Sequence, residues 1–241
     1  MRRVRCDLHL HSGLSPCGDV DMTPQNIVNM ALLNGMEMIA LTDHNSCLNV
    51  PAVMEAGTAA GLCVVPGMEL CTAEEAHVVC LFSDLRGALS FSDYVRTTMP
   101  NVQNRPEIFG EQVIMNAQDE RVGIEELLLV TASSIGINDV AALVAQYDGC
   151  AFPAHVDRPS FSVTASLGDI PREAGFTCAE ISRAGSLHEL TQKHPILREL
   201  FIFRNSDAHD LQSMPEEANV LVLEEVSPVC LVNAIREGLL R

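Results

Sequence analysis

Cys6-Asp7-Leu8-His9-Leu10-His11-Ser12 places two histidines one leucine apart inside an apolar run. Such a run reads as the end of a β-strand, where residues i and i+2 share a face. His9 and His11 therefore look the same way. Two neutral imidazoles on one face at a strand end suit a single transition-metal ion of the zinc, manganese or iron kind. A pair of half-buried core histidines is the competing reading, because short motifs of this sort arise by chance.

The remaining polar residues decide between the two. The chain has 8 histidines, and several close apolar runs beside acids: Thr42-Asp43-His44-Asn45, Gly67-Met68-Glu69-Leu70, Ala76-His77-Val78-Val79, Pro153-Ala154-His155-Val156 and Ser206-Asp207-Ala208-His209. Five such placements along one chain point to one site. Six histidines with Glu69 and Asp207 exceed the four ligands of a structural zinc, so two or three divalent ions are expected, with the two oxygens of Glu69 as a natural bridge.

The elements between these motifs alternate. Thr23-Pro24 caps and opens a helix to about Asn34, followed by a strand from Met38 to Thr42. A helix from Val50 to Ala60 and a strand from Leu62 to Pro66 repeat the pattern. Functional residues at the carboxyl ends of successive strands are what a β/α barrel presents, and in a closed barrel the first and last strands are neighbours. His77 begins its strand and fits that placement badly, although an antiparallel strand or hairpin there brings it back to the same rim.

From Ser83 to about Asn138 the pattern blurs, with a strand near Gln112 to Asn116 and a helical Gly123 to Val130. This stretch reads as an insertion or supporting element within a single domain spanning 1–241. Alternation resumes with a helix from Asn138 to Tyr147, strands at Cys150–Ala154, Thr177–Ser182, Leu200–Arg204 and Leu221–Leu223, and a last helix opened by Ser227-Pro228.

Composition bounds the partners. The 47% hydrophobic and 20% charged content is that of a globular protein, and 9 cysteines without CxxC pairs suit free thiols in a reducing cytoplasm. No run approaches the ~18 apolar residues of a membrane span, and none has the shape of a signal peptide. The net charge of −17 opposes long nucleic acid and anionic membranes over any broad surface, so an anionic substrate must be drawn in locally, as a cluster of divalent cations can do. Arg158, three residues after His155, and Arg183, after the strand Thr177–Ser182, are the guanidinium groups expected to bind phosphate.

With these motifs in hand, the sequence resembles the PHP family, the polymerase and histidinol phosphatase group of metal-dependent phosphoesterases. Asp7 to Ser12, Thr42 to His44, Pro153 to His155 and Ser206 to His209 look like its four motifs in order, with Glu69 and His77 between them. The resemblance implies a distorted (β/α)7 TIM-like barrel with a trinuclear site at the carboxyl rim. It also implies that His9, His11, Glu69 and Asp207 hold one ion, Glu69, His77 and His155 a second, and His44 and His209 a third. The family places one more ligand in the loop Ser15-Pro16-Cys17-Gly18-Asp19. Cys17 has the matching spacing, whereas Asp19 is the harder donor. Asp7 and Asp43 are expected to orient histidines.

The expected activity is hydrolysis of a phosphoric ester by a metal-bridging hydroxide, on a mononucleotide or nucleoside bisphosphate. An exonuclease on short oligonucleotides, a non-catalytic metal- or nucleotide-binding module and C–N bond hydrolysis are the alternatives. The acidic residues of the 83–138 stretch speak against the exonuclease.

Overall fold

A computed structural model describes residues 1–240. The first half alternates β1 (Arg2–Leu10), α1 (Pro24–Leu33), β2 (Met38–Leu41), α2 (Val50–Ala60), β3 (Cys63–Cys71), β4 (His77–Phe82) and α3 (Leu85–Thr98). A short α4 (Pro106–Phe109) and the strands β5 (Val113–Met115) and β6 (Arg121–Ile124) follow. The second half holds α5 (Ile137–Ala145), β7 (Gly149–Pro153), α6 (Val163–Leu167), β8 (Cys178–Glu180), α7 (Leu187–Lys193), β9 (Phe201–Phe203), β10 (Asn219–Leu223) and α8 (Pro228–Arg236).

One sheet runs β10-β1-β2-β3-β4-β7, and β8 pairs with β9 in parallel. The two are joined where Val156 N–H donates to Glu180 O at 2.8 Å and where Leu10 bridges Ala208. Seven strands, β1 to β4 and β7 to β9, thus form a distorted barrel wall, and β10 adds an eighth antiparallel to the first half of β1. β4 runs antiparallel to both β3 and β7, which carries His77 back to the rim reached by the ends of its neighbours.

Alternation along the strands separates two apolar clusters. Val4, Cys6, Leu8, Met38, Ala40, Val65, Val79, Leu81, Cys150, Phe152, Cys178 and Phe203 fill the barrel, and Leu231, Val232 and Ile235 of α8 join them. The other cluster packs Leu10, Ile39, Leu41, Val78 and Cys80 against α1, α2, α3 and α5. Continuing the inward series by twos leads to His44, Glu69, His77 and Glu180, so the strand period itself delivers these side chains to the mouth. Gly67 belongs to the same inward row. A Cβ there would lie 2.9 Å from both Leu81 and Thr42 side chains, so only glycine lets β3 pass so close below Glu69.

His9 and His155 break that period. In β1 the register with β2 slips between Asp7 and Leu10, so Leu8 and His9 are not kept on opposite sides. A bulge of this kind re-aims side chains beside functional sites. In β7 the inward residues Cys150, Phe152 and Ala154 are followed by His155 in a left-handed conformation, φ 27°. Without these two irregularities both imidazoles would face the helix layer.

The 83–138 stretch divides in two. α3 lies in the helix layer, with Phe91 packed 5.3 Å from Phe82. Beyond it, β5 and β6 form a hairpin tied to the rim: Val113 N–H donates to Gly13 O, and the buried Asn49 amide donates to Val113 O and Ser12 Oγ. The expected helix from Gly123 to Val130 is instead β6 followed by irregular chain. Its carbonyls at Glu125 and Leu127 are taken by the Gln112 side chain rather than by a helical turn.

Candidate metal centre

Glu69 lies at the centre of the mouth and is fully enclosed. Its Oε1 is 3.2 Å from His9 Nε2, 3.0 Å from His77 Nδ1 and 3.1 Å from His155 Nε2, while Oε2 is 2.9 Å from His44 Nδ1 and 3.4 Å from His11 Nε2. Asp207, at φ 52°, brings Oδ1 to 3.2 Å from His9 Nε2 and 3.1 Å from His11 Nε2. His209 stacks on His11 with ring centroids 4.0 Å apart and donates from Nδ1 to Asp207 O.

Donor atoms within 4.8 Å of one another form three groups: His9, His11, Glu69 and Asp207; His44, Glu69 and His77; His11, His44 and His209. The first is the set that the family resemblance implies for one ion. In the second, His44 joins Glu69 and His77, with His155 held against the same carboxylate. In the third, His11 completes the pair His44 and His209. Neither Cys17 nor Asp19 enters any of these groups among the described residues. Cys17 lines the cavity, its thiol pushed up to about 12 by desolvation and then by the Glu69 charge, whereas Asp19 spends its carboxylate on Asp21 N–H.

The outer partners fix which imidazole nitrogens face inward. His9 Nδ1 lies 3.1 and 3.0 Å from the two Glu180 oxygens, so it donates there and leaves Nε2 for the centre. Glu180 also accepts from His155 N–H and from the Asn205 amide. Sequence reading missed it, although it is the one acid in the strand Thr177–Ser182. His11 Nδ1 pairs with Ser15 Oγ, which donates to Asp43. Asp43 therefore orients His11 through Ser15. Asp7 accepts instead from Ser206 N–H and His9 N–H, setting backbone rather than a ring.

Charge balance tests whether cations fit. Asp7, Asp43, Glu69, Glu180 and Asp207 are all enclosed here, and the arginine at hand is Arg158, whose Nη1 is 2.5 Å from Asp207 Oδ2. His44 Nδ1, Glu69 Oε2 and Asp207 Oδ1 are enclosed without a hydrogen-bond partner, although they converge on one another. His9 Nε2 and His11 Nε2 are 3.3 Å apart across the same space. An enclosed negative cluster with unpaired donor atoms is the environment that a divalent cation satisfies. The proton response agrees. Burial would lower His9 and His11, yet Glu180, Asp207 and Glu69 hold His9 well above its ordinary value, and Asp207 and Glu69 raise His11 to about 9. Burial lowers His44 to about 4 and His209 to about 3, the latter helped by the charge on His11.

The cavity over this cluster measures about 360 Å³ and is lined by Pro16, Phe109, Val130, Arg158, Ser160 and Phe161 in addition to the polar residues. Arg158 thus reaches the site. Arg183 does not: it donates to Glu217 O in a separate cleft shared with Arg204, because the inward row of β8 runs Cys178, Glu180 and Ser182 and turns residue 183 away.

A model of the PHP domain matches residues 7–159. Over 112 residues the chain is 29% identical to the 5′-3′ exoribonuclease Rnm of Salmonella typhimurium, covering 44% of this chain and 37% of that protein. The fold is similar to that of the lesion-specific endonuclease PfuEndoQ from Pyrococcus furiosus, with TM-score 0.70, 17% identity and coverage of 98% of this chain and 56% of that one. It is also similar to a protein from Bifidobacterium adolescentis proposed to be a metal-dependent phosphoesterase, with TM-score 0.60, 17% identity and coverage of 97% and 96%. The chain therefore spans about a third to a half of the two nucleases. Their likeness corrects the expectation that long nucleic acid is excluded as a partner. A net charge averages the whole surface, whereas phosphate is met locally by cations at one mouth.

Proposed function

This chain belongs to the PHP family, and we propose that it is a divalent-metal-dependent phosphodiesterase that takes the end of a nucleic acid strand into its cavity and removes the terminal nucleotide. The observation that carries the reading is the enclosed cluster of six histidines, Glu69 and Asp207, whose unpaired donor atoms meet under a cavity with Arg158 at its wall. The nuclease names of two relatives support the substrate class, and the cavity volume suits one nucleotide rather than a strand running through, since small-ligand pockets start at about 300 Å³.

His9, His11, Glu69 and Asp207 are the residues proposed to hold one cation, His77 and His155 with Glu69 a second, and His44 and His209 a third. Cations there supply Lewis acidity, which makes water nucleophilic near neutral pH and offsets charge on the phosphoryl oxygens. Glu180 and the Asp43–Ser15 pair keep His9 and His11 in the tautomers that leave Nε2 inward. Arg158 turns its planar fork toward the cavity, where a phosphate can compete for it with Asp207. A second reading, phosphate release from a nucleoside bisphosphate, uses the same small cavity.

The test is product analysis. Protein loaded with Mn, Zn or Fe is incubated with RNA and DNA oligonucleotides, with and without a 5′-phosphate, and with nucleoside bisphosphates. Nucleoside monophosphates released stepwise from one end are expected. Inorganic phosphate alone would favour the second reading, and no ester cleaved in any metal form would overturn both.

A further inference from the structure

We propose that Phe161, assisted by Phe109, is the stacking platform that holds the nucleobase next to the scissile phosphate, so that these two rings set the preference for a base-bearing substrate. The inference rests on the phosphodiesterase reading above and deepens it.

The chain has few aromatic side chains, 8 Phe and 2 Tyr with no Trp. Among the described residues only Tyr94, Phe109 and Phe161 are exposed, at 39%, 37% and 48%. Two of those three line the cavity over the metal-ligating cluster. Exposed aromatic rings at a concave polar site are a recognition feature, because every base offers a π-face and stacking does not depend on its hydrogen-bonding edge.

Phe161 is built into place. Its φ is 53°, a left-handed backbone that a bulky residue adopts only when its surroundings impose it. Here the surroundings are plain: His77 N–H donates to Phe161 O at 2.9 Å, and the next residue's hydroxyl, Ser162 Oγ, closes the loop on Arg158 O at 2.6 Å. One face of the ring stacks on His77, with centroids 5.0 Å apart and planes 23° from parallel, while nearly half of the residue stays exposed and the residue lines the cavity. The same short loop therefore carries Arg158 for phosphate and Phe161 for an adjoining planar group.

Phe109 is anchored separately. It ends α4, and Gly110 after it has φ 97° and lies so close to Pro16 that a Cβ would stand 2.2 Å from the Pro16 carbonyl. Asn104 Nδ2 donates to Gly110 O at 2.9 Å, which fixes the turn. The ring is thereby seated at the cavity against the loop that bears Cys17. A ligand with anionic phosphate at the cluster and a flat apolar group a few ångströms away matches this lining; a sugar phosphate leaves both rings uncovered.

The experiment compares cleavage of a dinucleotide with that of the same compound lacking the base beside the scissile phosphate, for the wild type, Phe161→Ala, Phe161→Tyr and Phe109→Ala. Binding of 2-aminopurine deoxyriboside 5′-monophosphate is followed in parallel by quenching of its fluorescence on stacking. The wild type is expected to favour the base-bearing compound by about tenfold, a preference removed by Phe161→Ala, kept by Phe161→Tyr and reduced by Phe109→Ala, with metal content unchanged. Equal cleavage of both compounds by the wild type, or an equal loss on both in Phe161→Ala, would overturn the proposal and leave Phe161 as a shield for His77. If no phosphoester is cleaved at all, the phosphodiesterase reading fails, and the quenching decides this one: quenching retained by Phe161→Ala overturns it.

Discussion

At the level of single residues, the centre is governed by groups that set imidazole tautomers. Replacing Glu180 by Ala leaves His9 Nδ1 without its acceptor, and divalent-metal affinity is expected to fall about 10- to 100-fold, read by competition with a chromophoric chelator; unchanged affinity would mean that His9 needs no such support. Protons report on the same residues. In metal-free protein the surrounding carboxylates hold His9 and His11 toward the protonated form, His11 up to about 9, so loading at neutral pH must expel protons. Affinity should therefore rise as pH increases toward about 9 and weaken as pH falls. Calorimetry in buffers of different ionisation enthalpy checks the sign, and metal uptake without proton release would contradict it. Much of this was legible in the chain, because histidines beside acids at strand ends stand out against apolar runs. Glu180 was legible too, had the inward period of its strand been followed; the same period shows why Arg183 points elsewhere.

At the level of elements, β4 running antiparallel is what admits His77, and the sequence anticipated it from the position of that residue alone. The bulge in β1 and the left-handed His155 were not legible, since both depend on how neighbouring strands register rather than on local pattern. α3 was missed because Gly87 and its Ser and Thr residues dilute the apolar period, and residues 123–130 were misread because Leu127, Leu128 and Leu129 imitate a helical face. The hairpin of β5 and β6 depends on Asn49, whose side chain serves Ser12 Oγ, Val113 O and Met115 N–H in the interior. Asn49→Ala strands buried backbone groups and is expected to cost about 1–3 kcal/mol. A urea midpoint lowered with unchanged slope would show it, whereas an unshifted midpoint would mean that the hairpin is held by other contacts.

For the whole molecule, the decisive balance is between an acidic surface and an acidic interior mouth. The net charge of −17 says little about what that mouth attracts once cations occupy it, and this is why composition misjudged nucleic acid as a partner. Because cations bind the folded chain and not the unfolded one, chelation is expected to destabilise the protein by about 3–4 kcal/mol when the metal had been present at 100 to 1,000 times its dissociation constant, visible as a lowered thermal midpoint. Among the described residues no helix is long and apolar enough to cross a membrane. Whether the Glu69 cluster holds divalent ions is decided by metal analysis of protein purified without chelator, beside Glu69→Gln. More than one equivalent of metal per chain is expected in the wild type and a clear loss in the variant, with the variant still folded. A wild-type protein that is folded yet takes up no Mn, Zn or Fe would contradict it.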